Sequence, residues 1–323
     1  MVRAVDPRDP EAMIEIDHVT KRYGEKLAVD DVSFTVQPGI VTGFLGPNGA
    51  GKSTTMRMIV GLDAPTGGSV RVNGRSYRSF DAPLHEVGAL LEARAIHTGR
   101  SAYHHLLAMA QTHGIGRKRV EEVIDLVGLG SVARKRAGSF SLGMGQRLGI
   151  ASALLGDPQT LILDEPSNGL DPEGILWIRT LLKQLASEGR TVFLSSHLMS
   201  EMAVTAEHLV IVGRGRVIAD TTVQEVVAQA SADVAVRVRS PRATELREVL
   251  AGDGIQILSA ELDVLEVRGL SAERIGDLAA EHQLVLHELT PQLASLEDAY
   301  MRLTGDSVEY RTHLTTEPLE LVA

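Results

Sequence analysis

The stretch Gly46-Pro47-Asn48-Gly49-Ala50-Gly51-Lys52-Ser53-Thr54 constrains the fold of this chain more than any other. It has the form G-x-x-x-x-G-K-[ST] and follows an apolar run at 40–45. Glycines at 46, 49 and 51 let the backbone curl so that successive N–H groups point inward at phosphate oxygens. Ser53 onward reads as the first turn of a helix, whose N-terminal polarity strengthens that field. In such a loop Lys52 reaches the β- and γ-phosphates and the Ser53 hydroxyl ligates Mg²⁺. A buried strand, a phosphate-binding turn and a helix must therefore succeed one another here, which is the unit of an α/β fold.

The rest of the chain reads as such a fold. Strand patterns precede the loop at 14–19 and 32–36 and follow it at 69–74, and a helix runs over 54–60. From about 98 to 156 the texture is helical: Leu106, Leu107 and Ala110 share one face, as do Val120, Val123, Ile124 and Val127. Short, nearly uninterrupted apolar runs return at 160–163, 191–194 and 208–212, as expected of parallel strands buried on both faces, with a helix at 174–187. After Gln229-Ala230-Ser231 the pattern restarts as strand, helix (242–250), strand (255–258), strand (263–268), helix (272–281) and strand (284–289), with a final helix at 293–303. That βαββαβ order predicts a small ferredoxin-like α+β appendage. The expected organisation is a P-loop core at 13–230 with a mainly parallel sheet, an antiparallel β part and a helical insertion, an accessory domain at 231–303, and a mobile tail at 304–323.

Composition narrows the partners. The 323 residues carry 32 basic and 42 acidic side chains, a net charge of −10 that argues against nucleic acid as a partner, since no basic excess is available to displace counterions. Absence of cysteine removes disulfides and thiolate metal sites. The polar N-terminus has no signal-peptide core, and no run approaches the ~18 apolar residues needed to span a bilayer.

A phosphate loop of this kind needs an acidic residue at the end of a neighbouring buried strand to hold Mg²⁺. Leu161-Ile162-Leu163-Asp164-Glu165-Pro166 supplies it: Asp164 beside the metal, and Glu165 one residue further, where an attacking water would sit.

Between the two lies Ser139-Phe140-Ser141-Leu142-Gly143-Met144-Gly145-Gln146-Arg147, which resembles the signature loop of ATP-binding-cassette (ABC) ATPases, usually LSGGQ-x-QR. Ser141, Gly143, Gln146 and Arg147 match; Leu142 and Met144 depart from the commonest form. The resemblance implies that Ser141 and Gly143 bind the γ-phosphate of ATP held by a second copy of the chain. It further identifies Ser167-Asn168-Gly169-Leu170-Asp171 as similar to the loop that bridges the two copies, with Asp171 at the nucleotide. His197, closing Ser195-Ser196-His197, resembles the switch histidine, and Tyr23 sits where the family stacks an aromatic on adenine. Glu92, in Val87-Gly88-Ala89-Leu90-Leu91-Glu92, replaces the family's usual glutamine near the metal. That replacement, and Leu296-Glu297-Asp298-Ala299-Tyr300, resemble the bacitracin- and daunorubicin-type exporter subgroup. The implied protein is an Mg²⁺-dependent ATPase with Glu165 as general base and His197 and Lys52 stabilising charge. It would power drug or antibiotic efflux through a separate multi-spanning permease at the cytoplasmic face of the membrane. Importer ATPases more often keep Gln at the position of Glu92. Chromosome and repair ATPases need coiled-coil or zinc-bearing insertions, for which the stretch from Lys52 to Ser141 has neither heptads nor cysteine.

Overall fold

The computed structural model describes residues 13–92, 96–231, 235–252, 254–292, 296, 297 and 300. The lead-in, the tail at 304–323 and most of the expected helix at 293–303 lie outside them. Two compact units are present, one ending at Asp220 and the other beginning at Thr221.

The first unit is built on a six-stranded sheet of order β5-β6-β7-β3-β8-β9: Val87–Leu90 (β5), Thr160–Asp164 (β6), Thr191–Ser196 (β7), Val41–Leu45 (β3), His208–Gly213 (β8) and Arg216–Thr222 (β9). The pairings from β5 to β8 are parallel. β3 and β7 are buried at every position, which is why their sequences read as continuous apolar or small residues rather than as alternation. A second, antiparallel sheet joins Ile14–Tyr23 (β1), Lys26–Val36 (β2) and Gly67–Val72 (β4) in the order β2-β1-β4.

With aromatics at only 3 % of the chain, their placement is informative. Phe34 on β2 meets Phe44 on β3 and Phe193 on β7, with ring centroids 5.2–5.7 Å apart, so one aromatic cluster ties the two sheets together. Lys52–Ile59 (α1) follows β3 and buries Met56, Met58 and Ile59 in the same core.

The helical part comprises Ala102–Thr112 (α2), Arg117–Leu126 (α3) and Leu142–Leu154 (α4). Of the faces read from the sequence, Leu106 and Ala110 on α2 are buried while Leu107 is only half-buried, and Val120, Val123 and Ile124 on α3, with Val127 just beyond, are all buried. Pro172–Ser187 (α5) and Met199–Thr205 (α6) flank β7 in the chain.

The second unit begins with Val223–Ser231 (α7) and continues as Val236–Arg239 (β10), Ala243–Leu250 (α8), Gln256–Glu261 (β11), Val264–Arg268 (β12), Ala272–Glu281 (α9) and Glu288–Pro291 (β13). Its sheet is antiparallel throughout, in the order β11-β12-β10-β13, the split β-α-β arrangement. Leu246 and Leu250 of α8 and Ile275 and Ala279 of α9 share a core with Val236, Val238, Leu265 and Val267.

Two boundaries differ from the sequence reading. Gln229-Ala230-Ser231 is not a break between domains but the last turn of α7, and the units divide after Asp220. The last strand is Glu288–Pro291 rather than 284–289. The pairings of Val238 with Leu289 and Arg239 with Glu288 set it, and these override the apolar alternation of Leu284 and Leu286. Among the described residues no helix is long and apolar enough to cross a membrane.

Candidate active site

Parallel pairing is what assembles the site. Because β6, β7 and β3 are neighbours running the same way, the residues that end them arrive at one edge of the sheet. Asp164 lies opposite Ser195, and Ser196 opposite Leu45, so the acidic pair and the phosphate loop flank the end of β7.

The loop's shape is fixed by its surroundings. Gly51 precedes α1 at φ 101°, a left-handed conformation hostile to side chains, and a Cβ there would come within 2.7 Å of the Ala28 carbonyl oxygen. Lys52 is 7 % exposed and donates from Nζ to Gly46 O at 2.6 Å and Pro47 O at 3.2 Å, which holds the ammonium across the loop. Burial lowers its pKa from the ordinary lysine value, and the charges of Glu165 and Asp164 partly offset that.

Opposite it, Ser53 Oγ donates to Asp164 Oδ2 at 2.6 Å, and Ser195 Oγ donates to Asp164 Oδ1. Both carboxylate oxygens are thus oriented. Glu165 stands at φ 52°, which costs a non-glycine residue about 1–2 kcal/mol. Its N–H donates to Ser195 Oγ at 3.1 Å and to Ser195 O at 3.3 Å. Its Oε2 lies 2.7 Å from His197 Nδ1, and since a carboxylate only accepts, Nδ1 carries the proton and Nε2 is left for another partner.

Pro47, Asn48, Gly49, Gly51, Lys52, Ser53, Thr54, Asp164, Glu165 and Tyr23 line one cavity of about 360 Å³. Tyr23 is 46 % exposed; its hydroxyl donates to Asp63 Oδ2 at 2.8 Å and Lys21 Nζ lies 4.8 Å from its ring centroid. The ring is therefore anchored at its edge beside the cavity. Gly46 packs so closely that a Cβ would come within 2.5 Å of the Val212 carbonyl oxygen, and Ala50 is buried in the core with its carbonyl accepting from Gly215 N–H at 3.1 Å. Glu92 is exposed and, with Ser53 and Asp164, lines a neighbouring cavity of about 510 Å³.

Three further residues singled out in the sequence are not among those lining the phosphate-loop cavity. Ser141 caps α4, its Oγ accepting from Met144 N–H at 3.2 Å. Gly143 packs so closely on Gly169 that a Cβ would come within 2.7 Å of its carbonyl oxygen. Asp171 caps α5, with Oδ1 accepting from Gly174 N–H at 3.0 Å.

Ser195 had no role in the sequence reading, yet it binds both acidic residues. The signal was available: two successive serines end a fully buried strand, and buried hydroxyls need partners.

The family described as ABC transporter matches residues 29–168. ABC transporter ATP-binding protein YhcH of Bacillus subtilis (strain 168) is 36% identical over 309 residues, covering 93% of this chain and 99% of that protein. The chain belongs to the ABC transporter ATP-binding family. Bacitracin transport ATP-binding protein BcrA of Bacillus licheniformis is 42% identical over 209 residues, 64% of this chain and 68% of that protein. A solved dimeric ATP-binding cassette in a post-hydrolysis state, bound to ADP and Pi, superposes with a TM-score of 0.60 at 25% identity, over 65% of this chain and 98% of the other. A second family, described as a domain of unknown function (DUF8746), matches residues 234–297. This ABC protein is thus an ATPase.

Proposed function

We propose that this ATPase energises the export of an antibiotic or drug-like substrate through a separate multi-spanning permease, which holds it at the cytoplasmic face of the membrane. Two copies enclose two ATP molecules, each lying between the phosphate loop of one copy and Ser141, Gly143 and Asp171 of the other. The second unit is a ferredoxin-like accessory domain.

The donor set suits Mg²⁺. Ser53 Oγ and Asp164 Oδ2 are hard oxygen ligands only 2.6 Å apart, and among the described residues no cluster of three or more His, Cys, Asp or Glu forms a protein-only cage. Mg²⁺ characteristically takes one or two protein oxygens and fills the rest with phosphate and water. When bound it would neutralise charge on the β- and γ-phosphates. Glu92 is the further acidic residue within reach of that region.

The geometry supports a part for the protein's own groups. Lys52 places an ammonium across the phosphate loop, held by the Gly46 and Pro47 carbonyls, where it would meet the phosphates. Glu165 presents one carboxylate oxygen to His197 and keeps the other to take the proton of an attacking water. His197 Nε2 meets the γ-phosphoryl as charge gathers there. Hydrolysis releases the two copies, and the permease uses that movement.

The observation that carries the export reading is the likeness to the bacitracin transport protein, together with Glu92 in place of the glutamine more usual in importers. Affinity purification from gently solubilised native membranes, read by mass spectrometry, tests it. A stoichiometric multi-spanning permease without a solute-binding protein is expected. Recovery with ribosomal or DNA-associated proteins alone would overturn it.

A further inference from the structure

Two successive backbone carbonyls, those of Glu165 and Pro166, are held by one buried side chain. Gln146 is 2 % exposed, and its Nε2 donates to Glu165 O at 3.0 Å and to Pro166 O at 3.0 Å. Both neighbours can only accept, so the amide must turn its NH₂ group towards them. Glu165 O also accepts from Asn168 N–H at 3.1 Å. The left-handed backbone of Glu165 is therefore gripped from two sides: β7 holds its N–H through Ser195, and α4 holds its carbonyl through Gln146. A sparsely populated φ persists only where its surroundings fix it in this way.

Gln146 shares α4 with Ser141, which caps the same helix. We infer that Gln146 is a positioning residue for hydrolysis: it ties the signature helix to the backbone of the general base, so that a shift of one moves the other. The inference rests on Glu165 being the base. In the two-copy arrangement it links two half-sites within one chain, because the helix that meets the nucleotide on the second copy also sets the base that acts on the chain's own nucleotide. The effector chemistry is that of a nucleoside triphosphate γ-phosphate acting on the N-terminus of α4.

The test is ATPase kinetics on the full-length Gln146→Met variant, which keeps the side chain's length and loses both donors. The expected result is a kcat lowered at least about tenfold, as the loss of two hydrogen bonds to a strained backbone implies, with KM for ATP unchanged. In single turnover, Gln146→Met should add little to Glu165→Gln, since both act through one group. A wild-type kcat in Q146M, a raised KM with kcat retained, or full additivity with E165Q would each overturn the inference. If E165Q itself hydrolyses ATP at the wild-type rate, the base assignment falls instead, a result separable from an inert E165Q beside an unaffected Q146M. Thermal melting accompanies each variant; should Q146M not fold, Gln146→Asn, which keeps the donors but falls short of the carbonyls, is read by the same criteria.

Discussion

The phosphate-loop half and the signature half of this ATPase spend their polar side chains in opposite ways. In the first, groups from separate elements bond to one another: Ser53 with Asp164, Ser195 with Asp164, and His197 with Glu165. In the second, each group bonds to its own helix, Ser141 to Met144 and Asp171 to Gly174. The first half is a set of candidate reacting groups oriented by one another within one chain. The second is a pair of capped helix starts whose capping oxygens bond locally, as the proposed role on a second copy would require.

The contrast is broken most severely through Glu165. Glu165→Gln keeps the hydrogen bond to His197 and removes the proton acceptor, so ATP hydrolysis should fall by roughly 10²–10⁴-fold. Phosphate release measures the loss, and light scattering should find the variant as an ATP-dependent dimer. A variant that stays monomeric in ATP would mean that the two halves never meet.

Mixing two dead proteins sharpens the comparison. Lys52→Ala removes the ammonium of the first half and Ser141→Arg blocks the second, so each variant alone should be inactive. In a mixed dimer both lesions fall on one composite site and leave the other intact. Activity should therefore reappear on mixing, as a fraction of wild type. If the mixture remains inactive, each chain completes its own site and the second-copy reading is wrong.

How far these halves could be read in advance depended on the range of the interactions that make them. The phosphate loop, Asp164 and Glu165 were legible because each is a local pattern at the end of an apolar strand. The parallel strands were legible because burial on both faces leaves uninterrupted apolar runs. Ser195 and Gln146 were not assigned roles, since their partners lie 30 and 19 residues away and only the folded sheet brings them together. Edge strand β9 is not legible in the sequence because its residues are partly exposed and show no clean alternation. Helix α6, at 7 residues, is too short to display a helical period. In the second unit the strand order could be anticipated, whereas the position of β13 was decided by its register with β10, which Pro291 can join because the strand lies at the edge of the sheet.

A smaller effect separates the two jobs of Asp171. As a helix cap its removal costs stability: Asp171→Ala should lose about 1 kcal/mol, seen as a drop of roughly 3 °C in melting temperature. Asp171→Ser retains a capping oxygen and should recover most of that loss. If the serine variant melts like wild type but hydrolyses ATP slowly, Asp171 also contacts nucleotide on the second copy. If both measurements recover, capping is its whole contribution.

The smallest effect has the opposite sign and belongs to the first half. Burial holds the Lys52 ammonium below its ordinary value of 10.5. A base whose pKa is lower folded than unfolded gives up its proton more readily in the native state, so the charged form opposes folding. The opposition is complete below the lowered value and fades as pH rises through it towards 10.5. Lys52→Met keeps the stem and removes the charge, so the nucleotide-free protein should gain on the order of a degree in melting temperature at neutral pH. The gain should shrink in alkaline buffer, where wild-type Lys52 also becomes neutral, while ATPase activity is lost at every pH. A variant less stable than wild type at neutral pH would mean that the bonds to Gly46 and Pro47 outweigh the desolvation of the ammonium. The lysine would then stabilise the loop it sits in, and the first half would hold its shape at no cost to the fold.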